Sequence, residues 1–141
     1  MMHKSRRMTE ITCSSDAFEI LKTHINPYAE ELWIVALSPQ LRVISKEMIF
    51  RGTADYCPVH PRDVFRFLIQ KNASSFMMAH NHPSSSLEPS LQDFAITRKM
   101  HACGKLFQIP LLDHLILSEK NYYSMADHGF FKNLKKSSRW D

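Results

Sequence analysis

Two histidines and an aspartate form the pattern in this sequence that points most directly to chemistry. His80 and His82 stand two positions apart at the end of an apolar run, and Asp93 stands eleven positions after His82. Side chains at i and i+2 of a strand project to the same side, so both imidazoles can face one point. Two neutral imidazoles and a carboxylate suit Zn²⁺ and leave a fourth position for water, as in catalytic zinc sites. The spacing therefore suggests a catalytic zinc site.

The same residues also have a purely structural interpretation. The chain has eight histidines, so a His-x-His pair can arise by accident. Ser90 and Asp93 have the spacing of a capping box at a helix N-terminus, with Asp in place of the usual Glu or Gln. The two interpretations are compatible, because the first turn of a helix is a rigid place from which to present a metal ligand.

A zinc-activated water also needs a proton acceptor, and Glu30 and Glu31 are the candidates. Both stand just before the apolar run 32–37. A carboxylate at this place is either a solvated strand end or a functional group. If the strand already includes both residues, their side chains project to opposite faces, so only one of them can reach the zinc.

Helices and strands alternate in the elements that must position these residues. Asp16 and Glu19 are spaced as an approximate capping box for a first helix, and Gly104 is a candidate helix stop. The alternation predicts an α/β or mixed α+β sandwich, and a hairpin between the first two strands makes the sheet mixed. The predicted order is helix 14–25, strand 32–37, strand 41–50, helix 61–72, strand 76–80, helix 90–103, strand 111–117 and turn 118–121.

The composition is that of a single globular domain. Of 141 residues, 44% are hydrophobic and 23% charged, which excludes a disordered chain. No apolar run approaches the ~20 residues that span a bilayer, and no hydrophobic signal region follows the basic start of the chain. Three widely spaced cysteines fit a reducing compartment better than a disulfide scaffold. We expect a cytoplasmic protein with no membrane partner.

The net charge is +4, and much of the positive charge lies near the two ends of the chain. Solvated termini explain this distribution most simply. A nucleic-acid partner is the alternative, although no basic stripe studded with aromatic residues runs through the middle of the sequence.

The residues around the histidines resemble the JAMM metalloprotease motif of JAB/MPN domains. That motif has a distant upstream Glu, then H-x-H, seven residues and S-x-x-D; His80, His82, Ser90 and Asp93 stand at this spacing. The closer resemblance is to the RadC branch, with its pattern H-N-H-P-S-G followed by P-S-x-x-D. It extends over most of the chain, through RadC-like stretches at residues 50–53, 59–62, 96–98, 104–106 and 111–114.

This resemblance implies a JAB/MPN fold of cytidine deaminase-like architecture and a role for each matching position. For the general base, the resemblance points to Glu30, and Glu31 stays the alternative. The implied roles are zinc ligands for His80, His82 and Asp93, general base for Glu30, and hydrogen-bond donor to the oxyanion or to bound water for Ser90.

The sequence also departs from the RadC pattern. Ser85 stands where the loop usually has Gly, and Ser86-Leu87 replaces the usual Asp-Pro, which affects the shape of the loop but no ligand. The helix-hairpin-helix region usual in RadC proteins is not in this sequence, so a link to DNA repair has little support. A zinc deaminase would need H-x-E with P-C-x-x-C, and the sequence has neither.

We therefore predict a zinc-dependent metallopeptidase-type hydrolase that cleaves amide bonds, isopeptide bonds among them, in a peptide or protein substrate. The alternatives are a non-catalytic binding module of the same fold and a DNA-associated accessory protein of the RadC type. We divide the chain into an N-terminal extension (1–13), a RadC-like JAB/MPN domain (14–129) and a basic C-terminal tail (130–141).

Overall fold

The computed structural model describes residues 10–24, 26, 28–52, 59–82 and 86–137. Several of the predicted features lie wholly or partly outside these residues. They are the N-terminal extension up to residue 9, the helix end at residue 25, the loop departure at Ser85, and the last four residues of the basic tail.

Five strands form one mixed sheet: β1 (Glu30–Leu37), β2 (Val43–Gly52), β3 (Ser75–Asn81), β4 (Leu111–Leu117) and β5 (Tyr122–Ser124). Their order across the sheet is β2-β1-β3-β4-β5. β1 runs antiparallel to both of its neighbours, β3 and β4 are parallel, and β5 is antiparallel to β4. The predicted hairpin and the mixed character of the sheet are both confirmed.

Helices cover both faces of this sheet, which confirms the predicted α+β sandwich. One apolar cluster joins the first helix to one face, through residues such as Phe18, Val35 and Leu115. A second cluster joins the second and third helices to the opposite face, through residues such as Phe65 and Met100. The helices are α1 (Ser14–Leu21), continued by a 3-10 turn (Lys22–His24), α2 (Pro61–Gln70), α3 (Leu91–Phe107) and α4 (Phe130–Ser137).

The two central strands bring the polar candidates together. Every residue of β3 is buried, and β1 is buried over most of its length, as their continuous apolar runs predict. Since β1 and β3 are antiparallel, β1 begins beside the place where β3 ends, with Leu32 paired to His80. Glu30 and His80 therefore lie at the same end of the sheet.

The predicted capping box of the first helix is wrong. Cys13 occupies the N-cap position and makes no side-chain capping bond. The Asp16 carboxylate instead accepts hydrogen bonds from the backbone N–H and the hydroxyl of Thr12, at 3.0 and 2.7 Å. Glu19 lies 2.6 Å from Lys22 in an exposed ion pair. Asp16 thus bonds to Thr12, two residues before the helix begins.

The predicted stop at Gly104 is also wrong, because α3 continues to Phe107 and ends at Gln108 in the left-handed conformation. Gly104 is buried where the helix passes close to the chain that leads into β4. A Cβ at this position would lie 2.7 Å from the carbonyl oxygen of Ile109. The missing side chain therefore permits a close approach of two backbone segments.

Residues that the sequence assigned to the basic tail form the helix α4. Phe131 on this helix packs against the apolar cluster that contains α2 and α3. Among the described residues, no helix is long and apolar enough to cross a membrane.

Gly104→Ala should destabilise the fold although Ala is the better helix former. The added methyl group meets backbone atoms that cannot rotate away, so we expect the free energy of unfolding to fall by about 1–3 kcal/mol. Urea denaturation followed by circular dichroism measures this change. Ala102→Gly, at an exposed position of the same helix, is the control and should cost no more than about 1 kcal/mol. A Gly104→Ala protein as stable as wild type would contradict the close approach.

Candidate metal centre

His80 and His82 lie where β3 leaves the sheet. His80 is the penultimate residue of the strand and is buried, and His82 follows directly after the strand and is partly buried. The ring centroids are 4.9 Å apart and the ring planes are nearly perpendicular, at 88°. The two imidazoles therefore converge, as their spacing in the sequence indicates.

Asp93 reaches both imidazoles from the first turn of α3. Its Oδ1 lies 2.9 Å from Nδ1 of His80, and its Oδ2 lies 3.1 Å from Nε2 of His82. The carboxylate also completes a capping box, in which Oδ2 accepts from the Ser90 N–H at 2.8 Å and the Asp93 N–H donates to Ser90 Oγ at 3.0 Å. The capping interaction and the contact with the histidines coexist in one side chain.

Glu30 approaches the other nitrogen of the His80 ring. Its Oε1 lies 2.7 Å from Nε2 of His80. The angles do not make this contact a hydrogen bond, so Nε2 is a buried nitrogen without a hydrogen-bond partner among the described residues. Buried polar atoms are rarely left unpaired, and a nitrogen lone pair beside a carboxylate is suited to bind a cation.

Glu31 projects to the opposite face of the sheet, away from the histidines. Its side chain is 1% exposed, and its Oε2 accepts hydrogen bonds from Nε and Nη2 of Arg51 at 2.8 and 2.6 Å. Trp33 Nε1 donates to the other oxygen at 3.3 Å. The structure therefore places Glu30, and not Glu31, beside the two histidines.

The donor atoms of Glu30, His80 and His82 form a compact group in which all lie within 4.8 Å of one another. This group differs in one member from the predicted ligands, since it contains Glu30 where the sequence suggested Asp93. Asp93 contacts both imidazoles from the side of α3, so four predicted site residues meet at one place. Imidazole nitrogens with carboxylate oxygens are donors that divalent transition metals accept.

The Asp93 carboxylate and the imidazole of His82 shift each other's pKa toward the charged forms. Burial opposes ionisation of Asp93, but hydrogen bonds from His80, His82 and the Ser90 N–H outweigh it and hold the pKa of the carboxyl well below its usual range. The same contact with Asp93 raises the pKa of His82, against the effect of its burial. The site is thus arranged around a fixed negative charge that attracts cations.

Ser90 lies beside the cluster with one hydrogen-bonding function still available. Its Oγ accepts the Asp93 N–H, and its hydroxyl proton has no acceptor among the described residues. A hydroxyl both donates and accepts, so Ser90 retains a donor for another group.

Asn81, between the two histidines, has a structural role that the sequence did not reveal. Its side-chain amide donates to the carbonyl oxygens of Asn26 and Ala29, at 2.6 and 2.7 Å. Those residues form the turn that leads into Glu30. Asn81 therefore fixes the start of β1 from the face opposite the imidazoles. No local pattern signals this role, because its partners are more than fifty residues away.

His114 lies next to the cluster without belonging to it. It is fully buried in β4, its ring centroid is 6.2 Å from that of His80, and Thr97 Oγ1 lies 2.6 Å from its Nδ1. Burial, with the nearby imidazoles of His80 and His82, lowers the pKa of His114 to about 3. The hydrogen bond to Thr97 gives His114 a structural role beside the cluster.

A comparison with protein families agrees with this geometry. The family described as "RadC-like JAB domain" matches residues 11–130. The chain belongs to the RadC-like JAB domain family, and its α+β fold is consistent with a JAB/MPN domain.

Curated proteins with similar sequences are named UPF0758 proteins. A UPF0758 protein of Flavobacterium johnsoniae is 37% identical over 126 residues, which cover 89% of this chain and 55% of the relative. A UPF0758 protein of Chlorobium chlorochromatii is 35% identical over 91% of this chain and 59% of its own length. One of Finegoldia magna is 41% identical over 72% of this chain and 46% of its own length. The chain thus spans about half the length of the curated relatives it matches.

Asn81→Ala should loosen the turn before Glu30. Two partly buried carbonyl oxygens each lose a hydrogen bond, so we expect the free energy of unfolding to fall by about 1–3 kcal/mol. We also expect faster hydrogen exchange in residues 26–32 than in the rest of the sheet. Urea denaturation and hydrogen exchange measured by mass spectrometry test both expectations. Asn133→Ala removes an exposed amide from α4 and is the control. Unchanged exchange in residues 26–32 would show that Asn81 does not hold this turn.

Proposed function

We propose that this protein is a zinc-dependent metallopeptidase-type hydrolase that cleaves amide bonds, isopeptide bonds among them. The observation that carries the proposal is the convergence of Glu30, His80, His82 and Asp93 at one end of the sheet. The unpartnered nitrogen of His80 and the membership of the RadC-like JAB domain family support it.

His80, His82 and Asp93 would hold the zinc ion. Nδ1 of His80 and Nε2 of His82 both lie within 3.1 Å of the Asp93 carboxylate, so the three side chains present donors at one place. Three protein ligands leave a position for water, as in catalytic zinc sites. Zinc bound there would act as a Lewis acid toward the scissile carbonyl and lower the pKa of water.

Glu30 would serve as the general base. Its carboxylate is mostly buried and stands beside His80 on the side away from Asp93. From there it can take the proton of the attacking water and then deliver it to the leaving amine. Ser90 would donate a hydrogen bond from its free hydroxyl to the oxyanion that develops on the carbonyl oxygen.

The alternative function is a non-catalytic or DNA-associated accessory protein. The net charge of +4 is the observation that favours DNA. Such binding should weaken steeply between about 50 and 200 mM salt, because it depends on the release of counterions from the phosphates. Fluorescence anisotropy with a labelled duplex tests it, and no binding at low salt would remove this alternative. A cytoplasmic location and an unidentified peptide or protein substrate remain part of our proposal.

Purified protein should contain about one zinc ion per chain, because three ligands and a water complete a tetrahedral shell. His80→Ala and His82→Ala should lose this metal. Asp93→Asn should lose most of it while keeping an oxygen that can accept the Ser90 N–H of the helix cap. Elemental analysis by mass spectrometry measures the content. His128→Ala, an exposed histidine at the turn after β5, is the control. Equal zinc in wild type and His82→Ala would contradict the site.

Glu30→Gln should keep the zinc and lower hydrolysis about 10²–10⁴-fold, the usual effect of losing a general base. A mixture of unstructured peptides and of peptides joined through lysine side chains serves as substrate, with products identified by mass spectrometry. Glu31→Gln, on the opposite face, is the matched control and should retain hydrolysis. Loss of zinc from Glu30→Gln would make Glu30 a ligand, and unchanged hydrolysis would require a different base.

A further inference from the structure

Behind Asp93, two buried side chains connect α3 to β4. Thr97 and His114 are each 0% exposed. Thr97 Oγ1 donates to the carbonyl oxygen of Asp93 at 2.6 Å and lies 2.6 Å from Nδ1 of His114. The strand that carries His114 is paired with β3, where Met78 is its neighbour. These bonds therefore connect the turn of Asp93 to the sheet that carries the imidazoles.

The chemistry of these bonds gives them a direction. A carbonyl oxygen only accepts, so the single hydroxyl proton of Thr97 goes to Asp93. Thr97 Oγ1 must then accept from His114, which requires the proton of the neutral ring to be on Nδ1. The Nε2 atom of His114 is left with a lone pair, and it has no hydrogen-bond partner among the described residues.

The Thr97–His114 pair is not explained by a gain in folding stability alone. An unpaired nitrogen in the interior costs free energy, whereas replacing both partners of a buried hydrogen bond with apolar groups of similar shape can be neutral or stabilising. A buried polar pair with one unsatisfied atom is therefore better explained by what it positions. The group that it positions is the first turn of α3, which carries Asp93.

We propose that Thr97 and His114 form a positioning pair for Asp93, which sets the distance between its carboxylate and the imidazoles of His80 and His82. The pair acts through the backbone and touches neither metal nor substrate. The inference rests on the proposed function, because it treats Asp93 as a metal ligand.

The first experiment measures zinc affinity in competition with a chromophoric chelator. Thr97→Val keeps the shape of the side chain but removes the hydroxyl, and we expect its affinity to fall about 10–100-fold, as is usual when an outer partner of a metal ligand is lost. Thr97→Ser restores the hydroxyl and should recover most of the affinity. Met100→Leu, a fully buried apolar position one turn later on α3, is the matched control and should bind zinc as wild type does.

The second experiment separates positioning from stability. The double variant Thr97→Val/His114→Leu removes both polar partners, so it should unfold at a urea concentration equal to or above that of wild type. It should nevertheless bind zinc about 10–100-fold more weakly. A double variant that is stable and binds zinc with wild-type affinity would overturn the proposal.

The third experiment needs no metal. In chelator-treated wild type, the imidazole ¹⁵N shifts should show the proton of His114 on Nδ1, and Thr97→Val should change the shifts of His80 and His82 as Asp93 moves. Unchanged shifts of His80 and His82 in Thr97→Val would overturn the positioning role whether or not zinc binds. If wild type binds no zinc but the shifts change as expected, the proposed function fails and the positioning of Asp93 stands.

Discussion

The carboxylate of Asp93 is the interaction on which the site depends. It closes the N-terminal cap of α3 through Ser90 and contacts both histidines at the end of β3. A buried charge is tolerated only when hydrogen bonds and opposite charges compensate for lost water. At Asp93 the compensating groups are the helix cap and the imidazoles, so the same bonds that retain the charge also orient the groups that could bind a metal.

The candidate metal-binding residues and the residues that hold the strands in place lie on opposite faces of the sheet. Glu30 and His80 project to the face covered by α3, where His80 contacts both Glu30 and Asp93. Their sequence neighbours Glu31 and Asn81 project to the other face, where one is held by Arg51 and the other holds the turn before β1. Adjacent residues thus have opposite roles because side chains alternate along a strand.

The sequence predicted most of the fold, because the signals for it are local. Continuous apolar runs marked β1 and β3, and the spacing of Ser90 and Asp93 marked the start of α3. The errors arose where a local pattern had two meanings. Gly104 was interpreted as a stop, whereas its lack of a side chain permits a close contact with the carbonyl oxygen of Ile109. The helix at 130–137 was hidden by its basic composition.

The candidate site was predictable to the extent that its members form a motif. Glu30, His80, His82 and Asp93 were all named from the sequence, and the approach of Glu30 to His80 follows from the pairing of β1 with β3. The choice between Glu30 and Glu31 required the structure, because only the strand boundary decides which one faces the histidines. The contacts of Asn81 with the turn before β1, and of Thr97 with His114, depend on residues brought together by folding, and no spacing along the chain encodes them.

The alternation along β3 has a consequence for how the chain folds. If this strand paired with β1 one residue out of register, Asn81 would enter the α3 face and His80 would leave it. Such a slipped sheet could still bury an apolar strand, because the residues on both faces of β3 are apolar. It could not assemble the imidazoles with Asp93, so an ion that binds them would stabilise the correctly aligned chain alone. Metal binding would then favour the correct alignment of β3 with β1 over the slipped one.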